Sequence, residues 1–519
     1  VAEDNADATY AEVVGFANGM LGMAGGMAGI PLELARHDEG EATSMVLDLK
    51  TLDPDAPDIV FSLVRHGSTI AVTLGSDVRG EVIALLSGAE GATSIASNPR
   101  FLAAFEQLPA PEDSFEYVDM VNLHAQIADM MGTLRQVVAS EMGEAPEEGG
   151  MASEEQMIAG MINHGMDLVL EGLSLMDYSA TVSHTEGYSV HSDSIAVLAV
   201  DAKDNRFYPL LGTSRPVQNF ASRLPATTTG YSVSGGTDMN GMYDFMLGLV
   251  GDFGPMGQMA LGQWEMIQED SGFDLRRDVL SWIDGETISV DFELDGKPAW
   301  VTRMAVTDEA MASEKMGMVL SMIPGMIEMA AEEQPMIQML GISVNPVRDE
   351  RFEGFSEVNI AMAGQSMLCG VRDGAMIMAS SGDAIQHCQS LAAEGARNIT
   401  SNERLVATAL LPGEGDGAVS AASYTDHSGT AAELADRLQG IAMMGGMVTM
   451  AIEEPEAKAM VTEALRMVGK LGPVIRAMDF FQSSSSLATF DGRAWHTRSV
   501  THYAGPKKTA AEAPAPAGR

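Results

Sequence analysis

The stretch GSTIAVTLGSDVRGEVIALLSGAEGATSIASNPRFLAAFEQLP, residues 67–109, is repeated as GAMIMASSGDAIQHCQSLAAEGARNITSNERLVATALLP, residues 374–412. Each copy runs from an apolar strand through an acidic turn into an amphipathic helix. An Ala-Glu-Gly loop and Ser-Asn-x-Arg then lead into a second helix that ends at Leu-Pro. Ser401 lies 304 residues after Ser97, and Pro412 lies 303 residues after Pro109, so the copies have kept their length. The pattern predicts an internal duplication.

The duplication extends beyond these stretches. Met176-Asp177-Tyr178 opens a predicted hairpin that turns at Glu186-Gly187, and Met478-Asp479-Phe480 opens its counterpart. The first residues of the chain align just after a strand of the second copy, so we expect the chain to begin partway through its first module, with an upstream segment missing or processed. The predicted domains are a first repeat over 1–203, a central segment plus second repeat over 204–505 (the repeat itself over about 306–505), and a disordered tail over 506–519.

Short apolar strands alternate with amphipathic helices in each half. Residues 41–48, 59–65 and 69–74 have the composition of neighbouring meander strands, whereas residues 155–175 carry methionines at helical spacing. The predicted fold class is α+β, with two pseudo-symmetric repeats. Each repeat is expected to be a curved antiparallel meander sheet packed against amphipathic, methionine-rich helices. The central segment should supply the second half with hairpins that the first half lacks.

The net charge is far from zero. The chain has 73 acidic and 30 basic residues, which gives a formal charge of -43. A field of this sign repels phosphate backbones, so we expect no nucleic-acid partner. The acidity is typical of a protein kept soluble by repulsion, and the sequence leaves open whether its surroundings are saline.

Residues 13–32 carry no charge, and their length approaches that of a membrane-spanning helix. The segment is weakly hydrophobic, however, because it contains Asn18 and several glycines. Its second copy contains Pro324, Glu328 and Glu332, which argue against a span. We predict a helix buried against a sheet, so that any association with a membrane would be peripheral.

The central segment resembles a known family. Leu224-Pro225-Ala226-Thr227-Thr228 leads into an apolar strand, and GFDLRRDVLSWIDGE follows at residues 272–286. These motifs resemble the Leu-Pro-Ala-Asp-Thr strand and the Gly-x-Asp-Leu-x-x-Asp-Val-Leu-x-Trp-x-Gly-x-Glu segment of an uncharacterised bacterial family, a domain of unknown function common in exported proteins. The resemblance covers about residues 224–286, with Thr227 in place of the usual Asp. It implies an extracytoplasmic location, in the periplasm or at the cell surface, and no known activity.

The acidic residues of this segment are first of all structural. Asp274 is expected to cap a short helix whose Leu275, Val279 and Trp282 face inward. Asp284-Gly285 should then turn the chain into a strand, and Asp295-Gly296 has the composition of a hairpin turn.

Two pairs of residues are candidates for chemistry. Cys369 and Cys388 fall on a predicted strand and the following helix, where either a disulfide or two reduced buried thiols would fit. A turn at Glu186-Gly187 would place His184 and His191 on one face as diagonal neighbours, an arrangement that could hold a metal ion. Two surface histidines without a metal explain the same pattern, and the second copy has Thr489 in place of His184.

Methionine is unusually frequent, with 39 in the chain. These methionines suit Cu(I) binding less well than an adaptable apolar groove or ordinary core filling, because they lie among Gly and Ala rather than His and Asp. Pro324-Gly325 should kink the second-copy helix and open a gap beside it. The predicted ligand-binding residues therefore face one another across a groove: Met318, Met322, Met326, Met329, Met443 and Met447.

The favoured function is that of a non-enzymatic exported protein, either structural or binding an apolar ligand or a partner helix in this groove, without a cofactor. The repeated scaffold carries no repeated catalytic set, which favours binding over catalysis. The alternative is a metal-dependent hydrolase that uses His184 and His191 with nearby acids. The sequence does not indicate an oligomeric state.

Overall fold

The computed structural model describes residues 5–505, except for 29–31, 53–59, 76–77, 93, 143–153, 212–215, 218, 237, 334–340, 392, 394–395, 413–418 and most of 429–479. The helices of this part of the chain are α1 (Ala6–Ala28), α2 (Leu49–Leu52), α3 (Val78–Leu86), α4 (Pro99–Gln107), α5 (Met120–Met142), α6 (Glu154–Leu173), α7 (Met239–Gly251), α8 (Gly254–Ser271), α9 (Leu275–Asp278), α10 (Glu309–Glu333), α11 (Gly382–Ser390) and α12 (Glu403–Thr408). The strands are β1 (Ala35–Glu39), β2 (Ala42–Asp48), β3 (Val60–His66), β4 (Thr69–Leu74), β5 (Ser114–Asp119), β6 (Met176–Glu186), β7 (Ser189–Leu198), β8 (Thr228–Ser234), β9 (Ile283–Leu294), β10 (Lys297–Val306), β11 (Ile342–Pro346), β12 (Ser356–Ile360), β13 (Gln365–Arg372), β14 (Ala375–Ala379), β15 (Val419–Asp426), β16 (Phe481–Phe490) and β17 (Ala494–Tyr503). The predicted tail lies outside the described residues.

The chain divides into two compact units, Val1–Ala103 and Ala104–Arg519. In the first unit, β1 to β4 form an antiparallel meander sheet in chain order. Helix α1 packs on it through Tyr10, whose hydroxyl donates to the Leu63 carbonyl at 2.9 Å. Met20 and Met23 point the other way and are 51% and 60% exposed. Helix α1 therefore lies against the sheet on one face, as predicted, whereas Met20 and Met23 are exposed in the described structure.

The second unit contains a thirteen-stranded sheet with the order β11-β12-β13-β14-β10-β9-β8-β15-β16-β17-β7-β6-β5, in which every neighbouring pair is antiparallel. The α+β class with antiparallel meanders is confirmed. The central segment contributes β8, β9 and β10 between β14 and β15. None of the described helices has the length and apolar character needed to cross a bilayer.

The two predicted repeats share an order of elements, but their sheets differ. Strands β1 to β4 form a sheet of their own, whereas their counterparts β11 to β14 join the larger sheet through β10. Strands β5 to β7 lie in the same sheet as β15 to β17, with β7 paired to β17. The pseudo-symmetry of the repeats therefore stays a prediction, as does the boundary at residue 203, which rests on the repeat rather than on compactness.

The large sheet has two different faces beside α10 and α11. On β14, Ala375 and Ile377 face the main core with α11, whereas Met376 faces α10 together with Met316. Cys369 belongs to the α10 side, and Cys388 packs against the main core on the other side. Both cysteines are free, so of the two alternatives the reduced pair is found. A disulfide cannot form because the sheet separates the thiols.

The segment with the family resemblance folds around a buried carboxylate. Asp274 caps α9 as predicted, accepting from the Arg277 backbone N–H at 2.7 Å, and Trp282 is 2% exposed. Asp278, for which the sequence suggested no role, is 0% exposed and accepts from Lys315 Nζ at 2.8 Å. Asp284-Gly285 lies inside β9 rather than before it, whereas Asp295-Gly296 makes the predicted hairpin with positive φ at both residues.

Candidate functional site

Strand β10 carries an arginine on its core-facing side. Its side chains alternate, so that Ala299, Val301 and Arg303 share one face. Ala299 and Val301 are 7% and 2% exposed and belong to the main core, which places Arg303 at the margin of that core. On the neighbouring strand β9, Ile288 lies directly opposite Arg303. An apolar floor therefore lies beside a guanidinium group.

A cavity of about 520 Å³ opens at this place, and we call it the Arg303 cavity. Its floor comes from β9 and β10, and its walls come from α11 with the residue that follows it, from the β13–β14 turn and from the segment before β8. The lining residues are Ser222, Arg223, Ile288, Val290, Val301, Arg303, Asp373, Cys388, Gln389 and Leu391. The volume lies in the range of small-molecule sites, and the walls combine apolar surface with a few polar groups, as such sites do.

Among the described residues, Arg303 has no carboxylate partner. Its Nη2 donates to the backbone carbonyl of Asp373 at 3.3 Å, and within the described part of the chain no carboxylate oxygen lies at ion-pair distance. Burial lowers the pKa of the Arg303 guanidinium, and the nearby positive charge of Arg223 lowers it further. The charges of Asp373 and Glu286 act in the opposite direction at longer range. A partly desolvated cation is therefore left with incomplete compensation.

The other polar groups of the cavity are already engaged. Arg223 donates to Glu286 at 3.1 Å, and Gln389 donates to the Asp373 carboxylate at 2.9 Å. Burial raises the pKa of the Cys388 thiol to about 12, although the positive charge of Arg303 partly opposes this shift. The thiol is therefore neutral near pH 7 and is a poor nucleophile. Arg303 is left as the group that best fits a negatively charged ligand.

The predicted methionine groove is described only in part. Met318 and Met322 are half-buried and Met326 is 57% exposed. The side chain of Met329 and both Met443 and Met447 lie outside the described residues. The groove thus stays a prediction. Among the described side chains of α10, Met316 is the most buried methionine, at 8% exposed, and the helix continues through Pro324.

The predicted histidine pair differs in register from the expectation. His184 and His191 lie directly opposite each other rather than diagonally, because the hairpin closes with Glu186 paired to Ser189. Their rings stack with centroids 4.9 Å apart and an angle of 11° between the planes. The nitrogen lone pairs lie in the ring planes, so nearly parallel rings direct them side by side rather than to one metal ion. Within the described residues, no group of three or more His, Cys, Asp or Glu residues is placed to hold a metal ion.

Comparison of the chain with protein families, with curated proteins and with solved structures gave no match. The family resemblance of residues 224–286 therefore stays a prediction.

The alternation of residue types along β10 indicated an inward-facing Arg303, although Arg303 belongs to no recognised motif. Residues 297–306 alternate in character, and the arginine occupies a position that the pattern assigns to the core. An inward-facing arginine at the end of an apolar run is unusual, because arginine is almost never buried without a partner. Arg223 gave no such signal, since it lies in a turn whose placement depends on tertiary structure.

Proposed function

We propose that this chain is a non-enzymatic binding protein and that its ligand is a small anion with an apolar body, held in the Arg303 cavity. The observation that carries the proposal is the pairing of an apolar floor with an arginine that has no carboxylate partner in the described structure. A carboxylate or phosphate would complete the hydrogen bonds of the guanidinium group bidentately. The apolar part of the ligand would cover Ile288, Val290 and Val301.

Binding is favoured over catalysis by the groups that line the cavity. A guanidinium stays protonated near pH 7 and so cannot serve as a general base, and the Cys388 thiol is held neutral by burial. The Asp373 carboxylate accepts from Gln389, which orients it within the wall. These groups can orient and neutralise a ligand. The metal-dependent alternative draws no support from the stacked histidines.

Octanoate is a suitable probe, because it combines a carboxylate with an apolar chain, and octan-1-ol is its neutral match. We expect isothermal titration calorimetry to show octanoate binding and at least about tenfold weaker binding of octanol, since a charge-assisted hydrogen bond contributes about 1.5–3 kcal/mol. Arg303→Gln should weaken octanoate binding by a similar factor and leave octanol binding unchanged.

The matched control is Arg36→Gln. Arg36 forms an exposed ion pair with Asp38 in the first unit, so its loss should not change octanoate binding. Equal affinities for octanoate and octanol, or an Arg303→Gln variant that binds octanoate as the parent does, would contradict the proposed function.

An extracytoplasmic location remains part of the proposal. Its support is the resemblance of residues 224–286 to a family common in exported proteins. Fractionation of the native cells followed by immunoblotting would test it, and recovery of the protein with the cytosolic fraction would contradict it.

A further inference from the structure

Opposite the main core, the large sheet carries a continuous row of hydroxyl side chains. On nine neighbouring strands, from β10 to β5, each row member is the direct Cα partner of the next. Neighbouring strands lie about 4.8 Å apart, so the row is about 38 Å long. We call it the hydroxyl row: Thr302, Ser289, Ser232, Ser423, Ser486, Ser499, Ser192, Ser183 and Ser114.

Six hydroxyls of the row are hydrogen-bonded to one another in three pairs. The hydroxyls of Ser289 and Thr302 are 2.9 Å apart, those of Ser423 and Ser486 are 2.8 Å apart, and those of Ser183 and Ser192 are 2.9 Å apart. Ser232 and Ser499 lie between these pairs.

Neither Ser232 nor Ser499 has a hydrogen-bond partner for its side chain within the described structure. All members of the row are half-buried or exposed. Free and paired hydroxyls thus alternate along an accessible surface.

The surface around the row is nearly free of charge. A parallel row of residues flanks the hydroxyl row on each side. The first flanking row consists of Trp300, Asp291, Gly230, Thr425, Ser484, Thr501, Val190 and Thr185. The second consists of Met304, Thr287, Ser234, Ala421, Ala488, Thr497, Ser194, Thr181 and Glu116. Among these residues and the hydroxyl row, Asp291 and Glu116 are the charged side chains. In the whole chain 20% of residues are charged, so the composition of this face is distinct.

A depression of about 450 Å³ lies in this face beside Asp291. Gly230 lies directly opposite Asp291, and because it has no side chain it leaves space between the carboxylate and Thr425. The Asp291 carboxylate has no hydrogen-bond partner in the described part of the chain. The surrounding strands raise its pKa by desolvation, although the side chain reaches solvent. On its other side, Trp300 is the direct partner of Asp291 and is half-buried.

We propose that the hydroxyl row, with the depression at Asp291, binds a neutral polysaccharide chain. Sugar hydroxyls both donate and accept, so they match a row of serine hydroxyls and an acceptor-only carboxylate. The apolar face of a sugar ring can stack on an indole such as that of Trp300. The hydroxyl row and its two flanking rows contain no cation that would attract a polyanion, and the net charge of -43 repels one. The site is separate from the Arg303 cavity, which lies on the core side of β9 and β10.

Affinity electrophoresis tests this directly, with gels containing laminarin, dextran or alginate. Laminarin and dextran are neutral glucans, whereas alginate is an acidic polysaccharide built from uronic acids. We expect at least one neutral glucan to retard the native protein, and alginate not to. Ser232→Glu puts a longer side chain in the middle of the row, where it would occupy space that the glucan needs, and should weaken the retarding interaction by at least about tenfold.

The control is Ser343→Glu, an exposed serine on β11 at the far end of the same sheet, which should leave retardation unchanged. If circular dichroism shows that Ser232→Glu does not fold, Ser499→Glu in the same row is measured in its place. The proposal is overturned if neither neutral glucan retards the protein, if the row variants bind as the parent does, or if alginate binds equally well. It is also overturned if sedimentation shows a dimer that Ser232→Glu dissociates, since the face would then join two copies of the chain.

Discussion

Replacing Asp278 by Asn should destabilise the second unit by removing one charge while keeping the shape of the side chain. The carboxylate accepts from Lys315 Nζ at 2.8 Å, from Arg277 Nη2 at 2.6 Å and from the Asp274 backbone N–H at 2.8 Å. An amide offers one acceptor oxygen and turns an NH₂ group towards one of these donors. The variant therefore loses charge-assisted hydrogen bonds and gains an unfavourable contact between donors.

The expected loss is about 2–3 kcal/mol. Breaking a buried ion pair typically costs about 3–5 kcal/mol, because the remaining charge is left without a partner. Asp278 is 0% exposed, but the side chains that enclose it include Lys315 and Arg277, which are 23% and 61% exposed. Both cations can regain water after the substitution, so the lower part of the range applies.

The effect should depend on pH in a defined direction. The hydrogen bond from Arg277 holds the pKa of Asp278 well below its usual range. Burial opposes this lowering of the pKa, whereas the hydrogen bonds from the Asp274 backbone N–H and from Lys315 add to it. A lowered folded-state pKa contributes stability that is complete above the unfolded pKa of about 3.9 and is lost as the pH falls towards the folded value. The difference between Asp278→Asn and the parent should therefore be largest near pH 7 and should shrink below about pH 4, by up to about 1.4 kcal/mol per pH unit.

Urea unfolding followed by tryptophan fluorescence, at pH 7 and at pH 3, measures this difference, since Trp282 lies beside the site. Lys315→Gln in a double-mutant cycle separates the direct pair from other effects. Asp274→Asn serves as a control, because it changes a helix cap and leaves the buried carboxylate in place. A loss below about 0.5 kcal/mol at pH 7, or a loss of equal size at both pH values, would refute the reasoning.

Three further predictions concern packing, thiol chemistry and the cavity. Gly370→Ala should cost about 1–3 kcal/mol in urea unfolding, because the new Cβ would overlap the ring of Phe355, which is 2% exposed; unchanged stability would contradict this packing. Cys388 should react with iodoacetamide at pH 8 far more slowly than free cysteine, since its pKa is raised to about 12, and mass spectrometry should find it reduced; rapid alkylation or a disulfide would contradict this. Arg303→Met should raise the Tm of the ligand-free protein by about 2 °C or more, because it removes a desolvated cation without a carboxylate partner; a lower Tm would indicate that the arginine is structural.

Local patterns predicted the strands and short helices of the repeats well. The predicted strand over 69–74 coincides with β4, and the predicted cap at Asp274 is present, because alternation and capping depend on neighbouring residues. The face that a helix turns towards the sheet was harder to predict. Methionines occur on several sides of α10, and Met316 is the most buried methionine among the described side chains of this helix.

The hydroxyl row could not be predicted from the sequence at all. Ser232, Ser423 and Ser486 are far apart in the chain and become neighbours only when the register of β8, β15 and β16 is set. Register depends on the hydrophobic pattern of whole strands and on their order in the sheet, and a shift by one residue would turn every serine inward. Arg303 could be predicted in part. The alternation along its own strand indicates that its side chain faces the core, but whether a carboxylate lies beside it depends on the neighbouring elements.

In the described structure no carboxylate pairs with Arg303, which is more informative in this chain than it would be in a basic protein. The chain has 73 acidic and 30 basic residues, and Arg36, Arg404 and Arg476 each contact an aspartate. An arginine that faces apolar surface and a backbone carbonyl is costly where carboxylates are so abundant. The same excess of negative charge slows the approach of an anionic ligand, so affinity in the Arg303 cavity would have to come from slow dissociation. A deep site with an apolar floor is suited to that, because it holds the ligand by desolvation as well as by charge.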